Sequence, residues 1–400
     1  MKLNSIQFLR AVAALLVVYE HSMDVANQYG SSWQQKFYHL DNFGCIGVDL
    51  FFVISGFIIT YVANKYNGAS QGIHFLAKRF VRINPVYYIA TGLCLGLYIL
   101  QLQVNHIPFA KDFNQTMSSL MDAILVVPTS GDIESFKPLL IVGWTLAFEW
   151  LFYFLFFLVI LWNVKYKTLI LLGLILLLIG IGQLISPNDL RLQFISNPIM
   201  LEFIMGVIIC QMYLRSGKLP TWVGVTCLSI GLISYLLLIR LGFGNVWYYL
   251  GTINGKLSLN KFFLWGIPSS CIVAGCVFLE KNGYLSRLFN NKWSILLGNA
   301  SYSIYLLHYI ILNVFTLIYI KTKFFLPADA MIWLQGIVAT SIAIGFYKLV
   351  EKPLLKYMHK SSLWDISLTT KTKQILDKAR PLVDHIEPAA TTNNKLQTTN

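Results

Sequence analysis

Arg10 and His21 stand eleven residues apart in the first apolar segment of this 400-residue chain, IQFLRAVAALLVVYEHSMDVA at 6–26. That segment is long enough to cross a bilayer as a helix. At 100° per residue, eleven residues make three turns plus about 20°, so both side chains share a face roughly 16 Å apart along the axis. Asp24 follows three residues later and falls near the same stripe. Ionisable side chains inside a spanning helix are costly and face cavities or partners, so the stripe reads as a functional site. His21 is its natural general base, because imidazole exchanges protons near neutrality and a neighbouring carboxylate fixes the tautomer. The bland reading is a buried histidine hydrogen-bonded to a neighbouring helix.

Three other stretches carry chemistry. Glu149, in WTLAFEWLFYFLFF, is a carboxylate among aromatics. It suits a second acid or base, an acceptor for a substrate hydroxyl, or a structural partner for a charge on another helix. FLAKRFVRINPVYY puts Arg79 and Arg82 three apart on one helical face. Two guanidinium forks at that spacing suit a phosphorylated ligand, and equally an anchor on anionic lipid headgroups. LGNASYSIYLLHYIILNV, from Leu297, aligns Ser301, Tyr305, His308 and Leu312 on one stripe. The alternative there is helix–helix glue and a core-satisfied histidine.

The elements that must position these residues are apolar. The chain is 56% hydrophobic and 12% charged, with a mean hydropathy of +0.61, whereas a soluble domain is about a quarter charged. The composition specifies a polytopic all-α membrane protein. Its formal charge of +13 is scattered through short loops and the tail, as topology signals are, so no nucleic-acid partner is expected. Cys45, Cys94, Cys210, Cys227, Cys271 and Cys276 form no CxxC pair and no metal spacing, and no metal site is expected.

Ten segments long enough to span run at about 6–26, 45–63, 84–104, 141–162, 168–186, 198–214, 221–240, 261–280, 293–320 and 330–350. Pro85, Pro187, Pro198, Pro220, Pro268, Pro327 and Pro353 are expected at or near their ends. Arg10, Glu20, His21 and Asp24 argue against a cleaved signal peptide. With both termini on one side, that side holds the excess of Lys and Arg, so both are read as cytoplasmic. Residues 1–360 read as the membrane domain, and 361–400 as a polar, disordered cytoplasmic tail. The loop 105–140 could cover an outer opening. No internal repeat is visible, which counts against inverted-repeat transporters.

Depth then orders the candidates. The second segment runs back inward, placing Asp49 near the outer end and Ser55 at mid-membrane. The fourth places Trp144 outside and Glu149 at mid-depth. His21, Asp24, Asp49 and Glu149 are therefore expected to converge on one polar pocket in the outer half, within a bundle of about ten helices around a polar cavity.

At these residues the chain resembles the acyltransferase 3 family of membrane acyltransferases, in the branch that decorates bacterial exopolysaccharides. The resemblance rests on Arg10 with ten residues before His21, GVDLFFVISGFIIT from Gly47, KRFVRINPVYY from Lys78, WTLAFEWLFY from Trp144, LGNASYSIYLLH from Leu297, and EKP at Glu351 to Pro353. It implies an acyl-CoA donor, acetyl-CoA being the expected one, entering from the cytoplasm of a bacterial inner membrane. It also implies a carbohydrate hydroxyl as acceptor and an essential His21. Arg10, Arg79 and Arg82 are carried over as the donor side. Asp24 or Glu149 would orient His21, and Asp49, Ser55, Trp144, Tyr305 and His308 would contact substrate. Polysaccharide biosynthesis or export proteins are the expected partners, and the oligomeric state is open.

One departure is Glu20 beside His21, where many relatives carry a neutral residue or histidine; it sits 100° off the stripe. Many relatives also carry a hydrolase-like domain after the membrane part, where this chain has a short polar tail. A succinyl donor would need a further cation near the thioester. Two other classes fit a polar-centred bundle: a flippase for lipid-linked sugars, which would need no acyl-CoA, and a non-catalytic scaffold of an export complex, which would tolerate changes at His21, Asp49 and Glu149.

Overall fold

A computed structural model describes residues 3–29, 40, 42–104, 113–129, 131–132, 136, 138–242, 246, 248–323 and 326–360. The 361–400 tail and residues 105–112, 130, 133–135 and 137 of the 105–140 loop lie outside them. Among the described residues, ten helices are long and apolar enough to cross a membrane. Their central parts are α1 Asn4–Tyr29, α2 Ile46–Ala63, α3 Ala69–Val104, α4 Gly143–Leu161, α5 Lys167–Ile185, α6 Met200–Arg215, α7 Thr221–Leu241, α8 Ile267–Lys281, α9 Lys292–Thr322 and α10 Ala328–Phe346. α1 packs most extensively on α9, with α10 and α2 beside it; α2 lies along α6, and α7 along α8. α5 and α7 stand at the periphery with mostly exposed apolar faces, the arrangement lipid requires.

Small residues let the central helices touch through their backbones. A Cβ on Gly206 of α6 would fall 2.1 Å from the Val53 carbonyl oxygen, and one on Gly298 of α9 would fall 2.1 Å from the Gln7 carbonyl oxygen. These approaches fix α2 against α6 and α9 against α1.

Several charges that read as topology signals have a second task at helix ends. Lys167 Nζ donates to the carbonyls of Ala63, Asn64 and Tyr66 at 3.2, 2.7 and 2.8 Å. Lys281 does the same for Tyr213 and Ser216. Both ammoniums sit where a helix C-terminus leaves carbonyls unpaired and concentrates negative potential. At the start of α1, Glu280 accepts from the backbone nitrogens of Asn4 and Ser5 at 2.8 and 3.1 Å.

Two boundaries differ from expectation. α3 begins at Ala69, well before 84, and carries Pro85 inside it. Its first turns are polar and fall below a hydropathy cut, and they carry Lys78, Arg79 and Arg82 to a cavity among the helices. The last span continues beyond 350 to Lys360 through a π-helical segment, Tyr347–Glu351. A second π segment, Phe262–Gly266, follows Lys261. In both places the wider turn adjoins a charged side chain delivered to the interior, a common setting for π-bulges.

Candidate active site

α1, α2, α3, α4, α9 and the end of α10 enclose a cavity of about 420 Å³. Its two ends differ in chemistry. Toward the face where α1 begins, it is lined by Arg10, Lys78, Arg79 and Arg82, with Glu149 and Glu351 as the counter-charges. α3 supplies three of these cations, Lys78, Arg79 and Arg82, within five residues. Arg79 is buried, its guanidinium lying 5.8 Å from the centre of the Phe75 ring. The carboxylates are held in place. Glu149 accepts from Tyr153 Oη and from Ser55 Oγ, the latter at 3.2 Å. Glu351, on the π segment, accepts from Ser303 Oγ. Four cations against two carboxylates leave this end positive, suited to a polyanionic ligand.

The other end is aromatic and neutral. Val48, Phe51, Phe52 and Leu146 line it, and Tyr305 with Thr145 closes it. The Tyr305 hydroxyl lies 2.7 Å from Thr145 Oγ1 and donates to the Val142 carbonyl at 3.2 Å. Along α2 the lining runs from Ile59 to Val48, about 16 Å at 1.5 Å per residue.

Behind that wall stand two stacked histidines. The His308 ring is 5.9 Å from Tyr305 on one side and 5.2 Å from His21 on the other, the latter pair nearly parallel at 19°. His308 Nδ1 is 3.1 Å from the Ile304 carbonyl, which can only accept, so Nδ1 carries the proton and Nε2 offers a lone pair. That Nε2 is buried with no partner among the described residues. His21 Nδ1 lies 3.1 Å from Asp24 Oδ2, at a site about one-third exposed. The carboxylate again fixes the tautomer, leaving His21 Nε2 free to take a proton.

The structure thus keeps both stripes. Arg10 lines the cavity, His21 faces His308 on α9, and Ser301 and Tyr305 lead along α9 from the cavity to His308. It does not bring His21, Asp24, Asp49 and Glu149 into one pocket. Glu149 hydrogen-bonds Ser55 at the basic end, on the far side of the Tyr305 wall from His21, so it does not orient His21. Asp49 turns away from the cavity altogether. Its Oδ2 is 2.9 Å from Lys261 Nζ, both side chains are buried, and Glu202 is buried beside them. Trp144 packs edge-on against Phe52 and Phe148 and does not line the cavity. Ser55, Tyr305, Arg10, Arg79 and Arg82 do. Glu20 sits off the stripe, accepting from the Gly44 nitrogen at 2.9 Å. Lys78, Tyr153 and Glu351 stand outside the candidate set read from the sequence, although all three lie inside the quoted motifs KRFVR, WTLAFEWLFY and EKP.

Residues 3–348 match the acyltransferase domain of the acyltransferase 3 family. The chain belongs to that family. Among acyltransferase 3 relatives, the exopolysaccharide production protein ExoZ of Rhizobium meliloti is 30% identical over 322 residues, covering 80% of this chain and 93% of that protein. A putative O-acetyltransferase of Staphylococcus aureus is 26% identical over 356 residues. The O-acetyltransferase OatA of the same species is 25% identical over 346 residues. The chain spans about half the length of these two staphylococcal proteins (54% each). No solved structure matches. The quoted motifs lie on the helices that build the cavity and the histidine pair, so the family likeness and the site geometry concern the same residues.

Proposed function

We propose that this protein is an acetyl-CoA-dependent O-acetyltransferase acting on a hydroxyl of a cell-surface or secreted polysaccharide, or of its lipid-linked precursor. The observation that carries the reading is the polarised cavity. Its basic end faces one side of the bundle, and its neutral end stops one ring layer short of a His21–Asp24 dyad on the other. Arg10, Lys78, Arg79 and Arg82 would hold the CoA phosphates, and the cavity would take the pantetheine arm with the thioester at the Tyr305 end. The family likeness and the names of the relatives support acyl transfer to carbohydrate.

In the reaction, His21 Nε2 removes the proton of the acceptor hydroxyl as its oxygen attacks the thioester carbonyl carbon. A C–O bond forms, the C–S bond breaks, and the proton passes from His21 to the CoA sulfur. Asp24 stabilises the imidazolium in between. Because the cavity ends at Tyr305 and the His308 ring stands between Tyr305 and His21, transfer requires both rings to move aside; Tyr305 gives up one hydrogen bond to Thr145 and one to the Val142 carbonyl, a small barrier beside the chemistry. The 1–360 unit would sit in a bacterial inner membrane with both termini in the cytoplasm, so acetyl crosses while CoA stays inside.

The test is His21→Ala in cells that make the polysaccharide, with expression matched to wild type. Loss of glycan acetyl supports the reading, and unchanged acetyl content would remove His21 as base.

A further inference from the structure

The neutral end of the cavity carries information that acyl transfer in general does not use. Its two hydroxyls, Thr145 and Tyr305, are already committed to each other and to the Val142 carbonyl. Among the described residues, no Lys, Arg or His lines that end. Arg10 has its electrostatic partners at the basic end: Arg82, Glu351, Glu149 and Tyr153. Glu149, one turn along α4 from Thr145 on the same face, is the first charged side chain met from that end, a carboxylate standing between it and the cations. Beyond the wall, His21 is engaged by Asp24. The Phe51 ring lines that end and packs edge-on against Tyr305 at 5.5 Å, so an acyl group reaching Tyr305 would lie against it.

We infer that this end is an acyl subsite selective for uncharged acyl groups, with Phe51 and Glu149 as the determinants that reject dicarboxylic monothioesters such as succinyl-CoA. The inference rests on the donor reading above. A neutral acyl group exchanges water for contact with Phe51, Phe52 and Leu146. A terminal carboxylate would lose its hydration there, find no cation or free donor, and lie near a like charge. Sequence reasoning requires a further cation for a succinyl donor, and the lining shows none at that end.

The experiment is displacement of radiolabelled CoA from the full chain in lipid nanodiscs by acetyl-CoA and by succinyl-CoA. Wild type is expected to yield to acetyl-CoA at a concentration at least tenfold below that of succinyl-CoA. Phe51→Arg, which sets a guanidinium against Tyr305, should shrink that ratio at least tenfold, and Phe51→Met should preserve it. Glu149→Gln removes the repelling charge without adding bulk and should narrow the ratio several-fold, which covers the case in which Phe51→Arg does not fold. Equal displacement by both thioesters in wild type would overturn the inference while leaving the donor reading intact. So would an unchanged ratio in a Phe51→Arg or Glu149→Gln protein that still binds CoA. If wild type binds no CoA at all, the donor reading falls and takes the inference with it.

Discussion

Lys261 and Asp49 give the sharpest separation of structure from function. Their N···O distance is 2.9 Å, neither side chain meets solvent, and the Lys261 ammonium also lies 4.4 Å from the Trp265 ring centre. At an effective dielectric of about 20, two unit charges this close attract by roughly 6 kcal/mol. Desolvation offsets much of that, but Lys261→Met would leave Asp49 buried with no countercharge and Glu202 beside it. Breaking a buried pair in this way costs about 3–5 kcal/mol, a large part of the ~5–15 kcal/mol that separates folded from unfolded chains. Asp49→Asn in the same background removes the stranded charge and should restore a good share of the loss. The assay is thermal unfolding of detergent-solubilised wild type, Lys261→Met, Asp49→Asn and the double variant. The expected coupling energy is about 2 kcal/mol or more, within the range for directly paired residues. If Lys261→Met is as stable as wild type, or no less stable than the double variant, the pair is not structural and Asp49 returns to the substrate candidates.

Other consequences can be checked separately. Arg79→Ala and Arg82→Ala should each weaken CoA binding to the purified protein about 10–100-fold, the scale of a charge-assisted hydrogen bond to phosphate; unchanged affinity would reassign the pair to lipid headgroups. Gly206→Ala should destabilise the α2–α6 contact by about 1–3 kcal/mol in thermal unfolding, because its Cβ meets a backbone oxygen that cannot rotate away. Gly173→Ala, whose added Cβ meets nothing within 4 Å, should be neutral or slightly stabilising in the same assay.

Hydropathy was enough to find ten spans, because lipid demands continuous apolar length whatever the packing. It truncated α3, whose first turns turn Lys78, Arg79 and Arg82 inward and so lack the apolar surface that the method reads. The two stripes, Arg10 with His21 and Ser301 with Tyr305 and His308, were legible from the 100° step alone. The pocket expected from depth was not. Asp49 precedes Ser55 by six residues, which is 600°, or about 120° away from it around α2. Rotation therefore sends Asp49 toward Lys261 while Ser55 enters the cavity. His21 lies eleven residues along α1 from Arg10, roughly 16 Å beyond the charged end where Glu149 stands. Lys261 and Glu202 come from spans without a quoted motif, so nothing in the sequence announced them as partners of Asp49. The Tyr305–Thr145 wall depends on hydrogen bonds between α4 and α9, a pairing that no local pattern encodes.

The central claim is that donor and acceptor meet His21 from opposite faces of one bundle. It is tested most directly in sealed inside-out membrane vesicles from a host making the polysaccharide. Acetyl-labelled acetyl-CoA is supplied only at the exposed cytoplasmic face, and label is then measured in glycan protected inside the lumen. The account predicts lumenal label with wild type and none with an equally expressed His21→Ala protein. Label that accumulates only on glycan outside the vesicles, or that persists in the lumen with His21→Ala, would contradict it.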